Sequence, residues 1–482
     1  MKRKSWQKNF LYSLITLVVN ALVPLISYPY LTRTLGPENL GKFNFAYAIA
    51  HVFFFLVQLG LPYYGAREIA KVADDEAKLK TKKSELFGLS LISGFFFSAV
   101  YILLIIFIPR INQDKELFVN IGFIVFLAPF MLNWLFQGLE DFKYIASRNI
   151  SFRVVGLILM FLIIKDTSDY TVYGLIMAFI ILGHFLINII YANKRPKFSF
   201  KNIDIKKHIK PSLLTLPATL VAIVLIQVGS IMLGFLGTNR DVAFFSIPAQ
   251  IVMILTAIMT ALSFVMVPRL TVLLKQGGDQ HKKTASEVMS LSWLLVFPMC
   301  IGLIMISDEL IFVFAGDAFS PAAASLKIGA LRVVAIAISG FAGAQVLVAN
   351  GEEKKLFTSL IAGITFMIAI DFMLIPALGH VGAMIGAVCA EFLMGGLQLY
   401  LGRKYFSLDM FLNFSMLKYI LAALTFIPIC LLIKSFEFSI IITLMSCVLA
   451  CIITYIVVLI ILKDKLIKKY LTKGFKRGKE NL

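Results

Sequence analysis

Long apolar segments separated by short polar ones run along nearly the whole chain. A helix needs roughly 20 predominantly apolar residues to cross a bilayer, and these segments lack the strict alternation of a membrane β-barrel strand. The pattern predicts an all-α, multi-pass membrane protein with fourteen transmembrane helices. The predicted spans are 9–35, 38–66, 84–108, 117–140, 145–165, 171–192, 210–236, 240–274, 286–307, 324–350, 355–376, 380–402, 413–434 and 437–462.

The turn between the first two spans occurs twice in the sequence. The first two spans meet at Gly36-Pro37, and the pair Leu35-Gly36 recurs as Leu236-Gly237, 201 residues later. A second match, between the acidic ends at Glu140 and Glu352, has an offset of 212 residues. The chain therefore looks duplicated into two six-helix halves that enter the membrane from the same side, which is a parallel repeat.

The repeat sets the predicted domain boundaries. Between the halves, apolar and lysine residues interleave, which predicts a linker that lies along the membrane interface. The two last spans have no counterpart in the repeat and read as an appended pair. The predicted parts are a basic cytoplasmic N-terminus at 1–8, an N-lobe at 9–192, the linker at 193–209, a C-lobe at 210–402, helices 13 and 14 at 403–462, and a basic cytoplasmic tail at 463–482.

Charge gives the orientation. The sequence has 46 Lys and Arg residues and a net charge of +19, and 37 of those residues fall on one side of the membrane if the N-terminus is inside. Short cytoplasmic loops retain basic residues, so both termini are predicted to be cytoplasmic in the cell membrane. The first span has no small-residue cleavage site after it and is predicted to be retained. Because the basic residues are dispersed over alternate loops, the charge does not indicate nucleic-acid binding.

Polar side chains share faces on the first two helices of each half. Polar groups in hydrocarbon are costly unless they meet a partner or water. In span 2, Asn44, His51 and Gln58 are seven residues apart, which keeps them on one face of the helix. Small Ser and Thr residues also hold packed helices together, but bulky side chains favour a water-filled cavity lined by spans 1, 2, 7 and 8. The bulky members are Asn20, Asn44, His51, Gln58, Gln227 and Gln250.

Four cations are candidates for binding an anion in that cavity. Arg33 and Lys42 flank the opening turn, where extension of the side chain to the interface is the alternative explanation. Arg153 and Arg332 lie about two turns inside their spans, where a basic residue costs about 2.5–3.5 kcal/mol on insertion scales. Guanidinium binds phosphate in a bidentate manner. The predicted cargo therefore carries phosphate.

Two acids and four prolines complete the predicted site. Asp371 and Glu391 also lie at depth, either as structural partners of an arginine or as a sodium or proton site that couples transport to an ion gradient. The five cysteines lie in apolar segments without metal-ligand spacing, so neither a disulfide framework nor a metal site is predicted. Proline weakens helical hydrogen bonding. The predicted hinges are Pro24, Pro29, Pro211 and Pro217.

Two sequence motifs carry a resemblance to a known family. One is PYLTRTLGP at 29–37, followed by Leu40-Gly41, and the other is LIPALGHVGA at 374–383. With two six-helix halves, the chain resembles the polysaccharide-transport family of lipid-linked oligosaccharide flippases in the multidrug/oligosaccharidyl-lipid/polysaccharide exporter superfamily. Relatives often have Asn where this chain has Asp371.

The resemblance implies a V-shaped pair of lobes around a cationic central cavity. It implies a transporter, not an enzyme, that moves a polyprenyl-diphosphate-linked saccharide, such as a cell-surface polysaccharide precursor, to the outer leaflet by alternating access. The expected partners are the lipid-linked saccharide, membrane lipids and polysaccharide-assembly proteins, with the chain functional as a monomer. No cofactor is expected beyond a coupling Na⁺ or H⁺.

Alternatives remain at this stage. A multidrug or cation exporter of the same superfamily would favour an acidic, aromatic lumen, which the candidate cations argue against. A membrane glycosyltransferase would need a catalytic carboxylate in a sizeable outer loop, and the predicted outer connections are short. Within the flippase class, the cargo could instead be a peptidoglycan precursor or a teichoic-acid chain.

Overall fold

The computed structural model describes residues 6–194, 196–201, 203–276, 280–406, 411–412, 414–464 and 466–468. In these residues the regular elements are helices and no β-strand occurs, so the all-α prediction is confirmed. The α-helices are α1 Trp6–Gln58, α2 Leu61–Ala70, α3 Glu76–Phe107, α4 Pro109–Asn112, α5 Lys115–Leu127, α6 Asn133–Gly138, α7 Phe142–Ile163, α8 Tyr170–Asn193, α9 Lys206–Leu236, α10 Asn239–Gln276, α11 Gln280–Met305, α12 Ser307–Ala315, α13 Ala322–Ser339, α14 Glu353–Leu378, α15 His380–Gly402, α16 Phe414–Leu424, α17 Phe426–Lys434 and α18 Ile440–Ile461.

Helix α1 contains the first two predicted spans. Only Gly36 leaves the helical backbone, with φ 71° and ψ 173°. Glycine adopts positive φ without a steric penalty, and Pro37 suits the first position of the helix that resumes. The predicted turn is confirmed. Its counterpart also holds, because α9 ends at Leu236 and α10 begins at Asn239.

The second predicted span, 38–66, is interrupted near its C-terminal end. Helix α1 stops at Gln58, and Leu59 and Gly60 have φ of 45° and 72° before α2 begins. A Cβ at Gly60 would lie 2.5 Å from the Ser212 carbonyl oxygen of α9. Glycine is needed because the backbone of α9 passes this close, and hydropathy alone does not reveal that contact.

The fourth predicted span, 117–140, is also broken. A 3₁₀ turn covers 128–131, Leu132 has φ 45°, and α6 follows. We call residues 128–132 the α5–α6 break. Three buried side chains bond its main-chain carbonyls: Gln58 at 2.6 Å, Ser90 at 3.3 Å, and Asn188 at 2.7 and 3.0 Å. Backbone groups at membrane depth must be satisfied within the protein, and these side chains do so.

Helix α9 bends by 58° between Lys206–Val221 and Ile223–Leu236. Pro211 and Pro217 lie in the segment before the bend, whereas Pro24 and Pro29 lie in continuous helix. Sharp bends usually occur near proline. Motion at any of the four prolines stays a prediction.

The described residues contain 12 helices long and apolar enough to cross a membrane, or up to 13 if the bent α9 is one span. The stretch Leu11–Ala70 counts once, although Gly36 divides it. The prediction of a multi-pass membrane protein is confirmed. The count of fourteen and the V-shaped arrangement stay predictions.

The chain forms two compact units, Met1–Ala243 and Phe244–Leu482, called here the first and second units. Helix α9 belongs to the first unit by its contacts, whereas the sequence repeat assigns it to the second half. The repeat-based boundaries stay a prediction. The predicted linker lies against the first unit, with the ring of Phe198 4.3 Å from the Lys83 ammonium.

In the second unit, α13 continues into a π-helix, Gly340–Leu347, and a 3₁₀ turn, Val348–Asn350. Helices α14 and α15 follow on either side of Gly379, which has φ 52°. All five cysteines are free thiols. The sulfur atoms of Cys430 and Cys451 lie 3.5 Å apart in the appended helices.

Candidate functional site

A half-buried polar patch lies in the first unit, where α1 meets α7 and α9. The Gln227 amide donates to the His51 ring at 2.9 Å, and the ring of Tyr47 stacks on His51 with centroids 5.2 Å apart. Arg153 of α7 lies close enough to Tyr47 for its charge to act on the Tyr47 hydroxyl. We call these four residues the His51 patch. Each is partly accessible rather than sealed in the core.

Arg153 is the uncompensated charge of the His51 patch. Within the described part of the chain it has neither a hydrogen-bond acceptor nor an ion-pair partner. A guanidinium carries five N–H donors in a planar fork. A membrane-embedded arginine without a carboxylate attracts an anion, and phosphate matches its geometry.

The other predicted members of the cavity lie in different surroundings. Asn20 is exposed on the first half of α1, and Asn44 is buried with no partner for its Nδ2 among the described residues. Gln58 is buried at the α5–α6 break. Asn44, His51 and Gln58 are seven residues apart on one helix, but their surroundings differ. Their roles as cavity residues stay predictions.

The cations at the opening turn also differ from each other. Lys42 pairs with Asp114 at 2.9 Å and lies 5.4 Å from the Tyr170 ring centroid. Arg33 is exposed and donates from Nη1 to the Pro29 carbonyl at 2.7 Å. The charge of Lys42 is therefore locally compensated. Arg33 lines an open pocket together with Lys165.

Arg110 joins the two repeat-equivalent turns. Its Nε donates to the Gly234 carbonyl at 2.8 Å, and its Nη2 donates to Asn239, whose amide donates to Glu38 at 2.6 Å. A Cβ at Gly41 would lie 1.7 Å from the Asn239 carbonyl oxygen. Both turns therefore lie at one end of the first unit, which we call the turn end.

In the second unit, Arg332 forms an ion pair with Glu391. Its Nη2 and Nε lie 2.5 and 3.2 Å from Glu391 Oε1, and the two side chains are 14% and 7% exposed. Glu391 Oε2 is buried without a hydrogen-bond partner among the described residues, as is Gln250 Nε2. Arg332 thus has an internal counter-charge, unlike Arg153.

Asp371 is fully buried in α14. Neither carboxylate oxygen has a hydrogen-bond partner in the described residues. A Cβ at Gly386 would lie 2.1 Å from Oδ1, so α15 passes directly against this side chain. Burying an ionised carboxylate without a partner is costly, so the environment of Asp371 disfavours the charged form.

Sequence reasoning missed Arg148, which is only 4% exposed. It donates to Asn188 Oδ1 at 2.6 Å and to Asn133 Oδ1 at 2.7 Å, so it orients the amide that bonds the α5–α6 break. Two signals in the sequence pointed to the break that Arg148 supports. Pro129 lies inside one predicted span, and the amide of Asn188 lies inside another. Tyr47 was also missed, because an aromatic residue in an apolar window carries no such signal.

The comparisons with known proteins decide the family. A family model described as polysaccharide biosynthesis protein matches residues 6–274, more than half of the chain. The chain belongs to the polysaccharide biosynthesis protein family. The relationship predicted from the two motifs is confirmed.

This polysaccharide biosynthesis family member matches two curated relatives over nearly the whole length of each relative. A putative O-antigen transporter of Escherichia coli (strain K12) is 25% identical over 410 residues, which cover 83% of this chain and 97% of the relative. A protein of Shigella dysenteriae with the same description is 24% identical over 396 residues, covering 80% and 98%.

Solved structures show the fold of this family member. The lipid II flippase MurJ in an inward closed conformation has a TM-score of 0.69 at 19% identity, covering 95% of this chain and 99% of that one. An inward-facing multidrug resistance MATE family transporter of the MOP superfamily has a TM-score of 0.61 at 15% identity, covering 82% and 94%. The chain therefore has the same fold as these two transporters.

Proposed function

We propose that this polysaccharide-type transporter moves a polyprenyl-diphosphate-linked saccharide from the inner to the outer leaflet. The family match, the description of two relatives as putative O-antigen transporters, and the exporter fold support this. Translocation needs no bond to be made or broken. The chain therefore acts as a transporter and not as an enzyme.

The observation that carries the proposal is Arg153 in the His51 patch. Sugars and a diphosphate cannot enter hydrocarbon cheaply, so they need a polar surface at membrane depth. Arg153 supplies a cation that has no ion-pair partner among the described residues, and Gln227 and His51, which bond each other, supply hydrogen-bonding groups in the same patch. The polyprenyl chain remains in the lipid while its headgroup passes along this surface.

Alternating access is part of the proposal. In folds built from parallel repeats, one lobe rocks against the other around a fixed binding site. The Arg110 contacts hold the two turns together within the first unit. With both termini cytoplasmic, as the charge distribution favours, the turn end faces the outside.

The test is export by Arg153→Gln in cells that depend on this chain. We expect export to fall at least tenfold while lipid-linked intermediates accumulate on the cytoplasmic side, because the diphosphate loses its counter-charge. Arg153→Lys should retain part of the activity, since it keeps the charge but not the fork. Lys143→Gln, an exposed residue at the start of the same helix, is the matched control. Normal export by Arg153→Gln would refute the proposal.

We also propose that a sodium or proton gradient drives the cycle through Asp371. Its burial without a partner supports a bound proton or cation. Transport by Asp371→Asn should lose its dependence on the gradient, and Glu391→Gln tests whether the paired acid contributes. If transport by Asp371→Asn depended on the gradient as before, Asp371 would have a structural role and not a coupling role.

The second candidate is a flippase for a peptidoglycan lipid precursor. The similarity in fold to the lipid II flippase over 95% of the chain favours it. Mass spectrometry of the intermediates that accumulate on depletion distinguishes the two, because the saccharide differs while the lipid diphosphate is shared. A teichoic-acid chain would be identified in the same spectrum.

A further inference from the structure

A pocket of about 690 Å³ opens at the turn end of the first unit. It lies between the first half of α1 and the connection from α7 to α8. Its polar lining comes from Arg33, Thr34, Lys165, Asp166 and Thr167. We call it the Arg33 pocket.

The walls of the Arg33 pocket are fastened to each other. The Tyr30 hydroxyl donates to the Ile164 carbonyl, and the Asn39 amide donates to the Thr167 carbonyl at 2.7 Å. The rings of Tyr30 and Phe161 pack edge to face with centroids 4.7 Å apart. These contacts pre-form the pocket, which lowers the entropic cost of binding.

The lining carries more positive than negative charge. Lys165 donates to the Phe161 carbonyl at 2.5 Å and makes no ion pair within the described residues. The Asp166 carboxylate accepts the backbone N–H of Asp169 as a helix cap, so it is engaged locally. Together with Arg33 the pocket has a net charge of +1, and its cations carry several donors each. This chemistry suits a phosphate group.

The pocket begins where an exposed apolar surface ends. Helix α1 exposes Leu22 and Ile26, at 49% and 52%, in the turns before Arg33. Helix α7 exposes Ile158 and Leu162, at 52% and 67%, just before Lys165. Cations at the ends of apolar helices lie at the level of lipid headgroups, so acyl or prenyl chains can follow these faces to the pocket.

We propose that the Arg33 pocket binds the phosphate group of a lipid whose chains lie along α1 and α7. The phosphate comes either from a bilayer phospholipid or from a polyprenyl diphosphate. This site is separate from the His51 patch, because Arg153 precedes the end of α7 at Ile163 by ten residues, or about 15 Å of helix. The inference does not require the proposed function, since a phospholipid would bind whatever the cargo.

The test is native mass spectrometry of the full chain in detergent with phosphatidylglycerol. We expect Arg33→Gln/Lys165→Gln to bind at least tenfold more weakly than the unmodified chain. The control Lys115→Gln/Arg240→Gln removes the same charge from exposed positions at the turn end, outside the pocket, and should stay within twofold. Equal weakening in both double variants, or none in the first, would overturn the proposal.

Four further measurements complete the test. Diacylglycerol, which lacks the phosphate, should bind the chain and the pocket variant equally; if it binds as tightly as phosphatidylglycerol, phosphate recognition is excluded. Displacement of phosphatidylglycerol by polyprenyl diphosphate identifies the diphosphate lipid as the occupant, and retention identifies the bilayer lipid. Lys165→Arg keeps the charge and should keep binding, and thermal unfolding checks that every variant is folded.

Discussion

The α5–α6 break and the His51 patch use polar side chains of the same helix in opposite ways. Gln58 is buried and bonds a main-chain carbonyl of the break, whereas His51, two turns earlier, is half-buried and bonds the side chain of Gln227. At the break, Arg148 is surrounded by amide oxygens, while Arg153 in the patch has no acceptor among the described residues. A polar residue at membrane depth therefore indicates function only when no backbone group needs it.

Asn188→Leu should have the largest effect. It leaves two main-chain carbonyls of the break without donors and removes an acceptor of Arg148. Each unsatisfied buried group costs about 1–3 kcal/mol, so we expect a loss of about 3 kcal/mol or more. Thermal unfolding of the purified protein and its yield in membranes measure this.

Gln398→Leu in the second unit is the matched control for Asn188→Leu. Gln398 is equally buried but donates one bond, to Ser359 at 3.1 Å, beside a π-helix that keeps its own backbone bonds. Its effect should be clearly smaller. Equal losses at the two positions would mean that packing, and not the carbonyls of the break, makes Asn188 important.

Arg148→Met and Arg153→Met test the two arginines of α7 directly. Arg148→Met removes the Arg148 hydrogen bonds to the oxygens of Asn188 and Asn133, although the Asn188 oxygen keeps its bond from the Tyr144 hydroxyl at 2.9 Å. We expect about 2 kcal/mol of destabilisation. Arg153→Met should leave the unfolding temperature nearly unchanged while export is lost. If Arg153→Met destabilises the protein as strongly as Arg148→Met, the His51 patch is structural and the comparison fails.

Gln227→Leu should give an intermediate result. It removes one hydrogen bond at a half-buried site, worth about 1 kcal/mol or less. Export should fall several-fold because the His51 ring loses the partner that orients it. Measuring unfolding and export on the same preparation separates the effects. A large loss of stability with normal export would place Gln227 with the structural group.

A water-exposed charge cluster gives the smallest expected effect. Hydrogen bonds from Lys355 and Tyr405 lower the pKa of Glu352 from 4.5 to about 2. The folded state therefore favours the ionised form, so the stabilisation is complete above pH 4.5 and is lost as the pH falls towards 2. Glu352→Gln should lower the unfolding temperature slightly at neutral pH, and this difference should shrink in that acidic window. If the difference in unfolding temperature between Glu352→Gln and the unmodified chain did not change with pH, this explanation would be wrong.

Local features of the sequence were sufficient for the architecture. Apolar length predicts membrane helices, and Gly36 followed by Pro37 predicts the turn, because both depend on residues adjacent in the chain. The breaks after Gln58 and at 128–132 could not be predicted in the same way. The first depends on the approach of α9 to Gly60, and the second on Asn188, a side chain 57 residues away from Met131.

The candidate site shows the same limit. Arg153 and Arg332 have the same appearance in the sequence, since each is a lone cation about two turns inside an apolar window. They differ because Glu391 reaches Arg332 from a position 59 residues later, and no acid reaches Arg153 among the described residues. Pairing between distant segments is a property of the packed fold, so a window of sequence around each arginine cannot reveal it.

The tight turn at Gly36 affects the choice of position for inserting an epitope or a label. The helical backbone resumes at the next residue, and both neighbouring turns are held by Arg110 and Glu38. An epitope inserted there would have to open the junction, so we expect such a protein to be degraded. The turn at 71–74, which is followed by a helix cap at Asp75, is the better position for an affinity tag or a fluorophore.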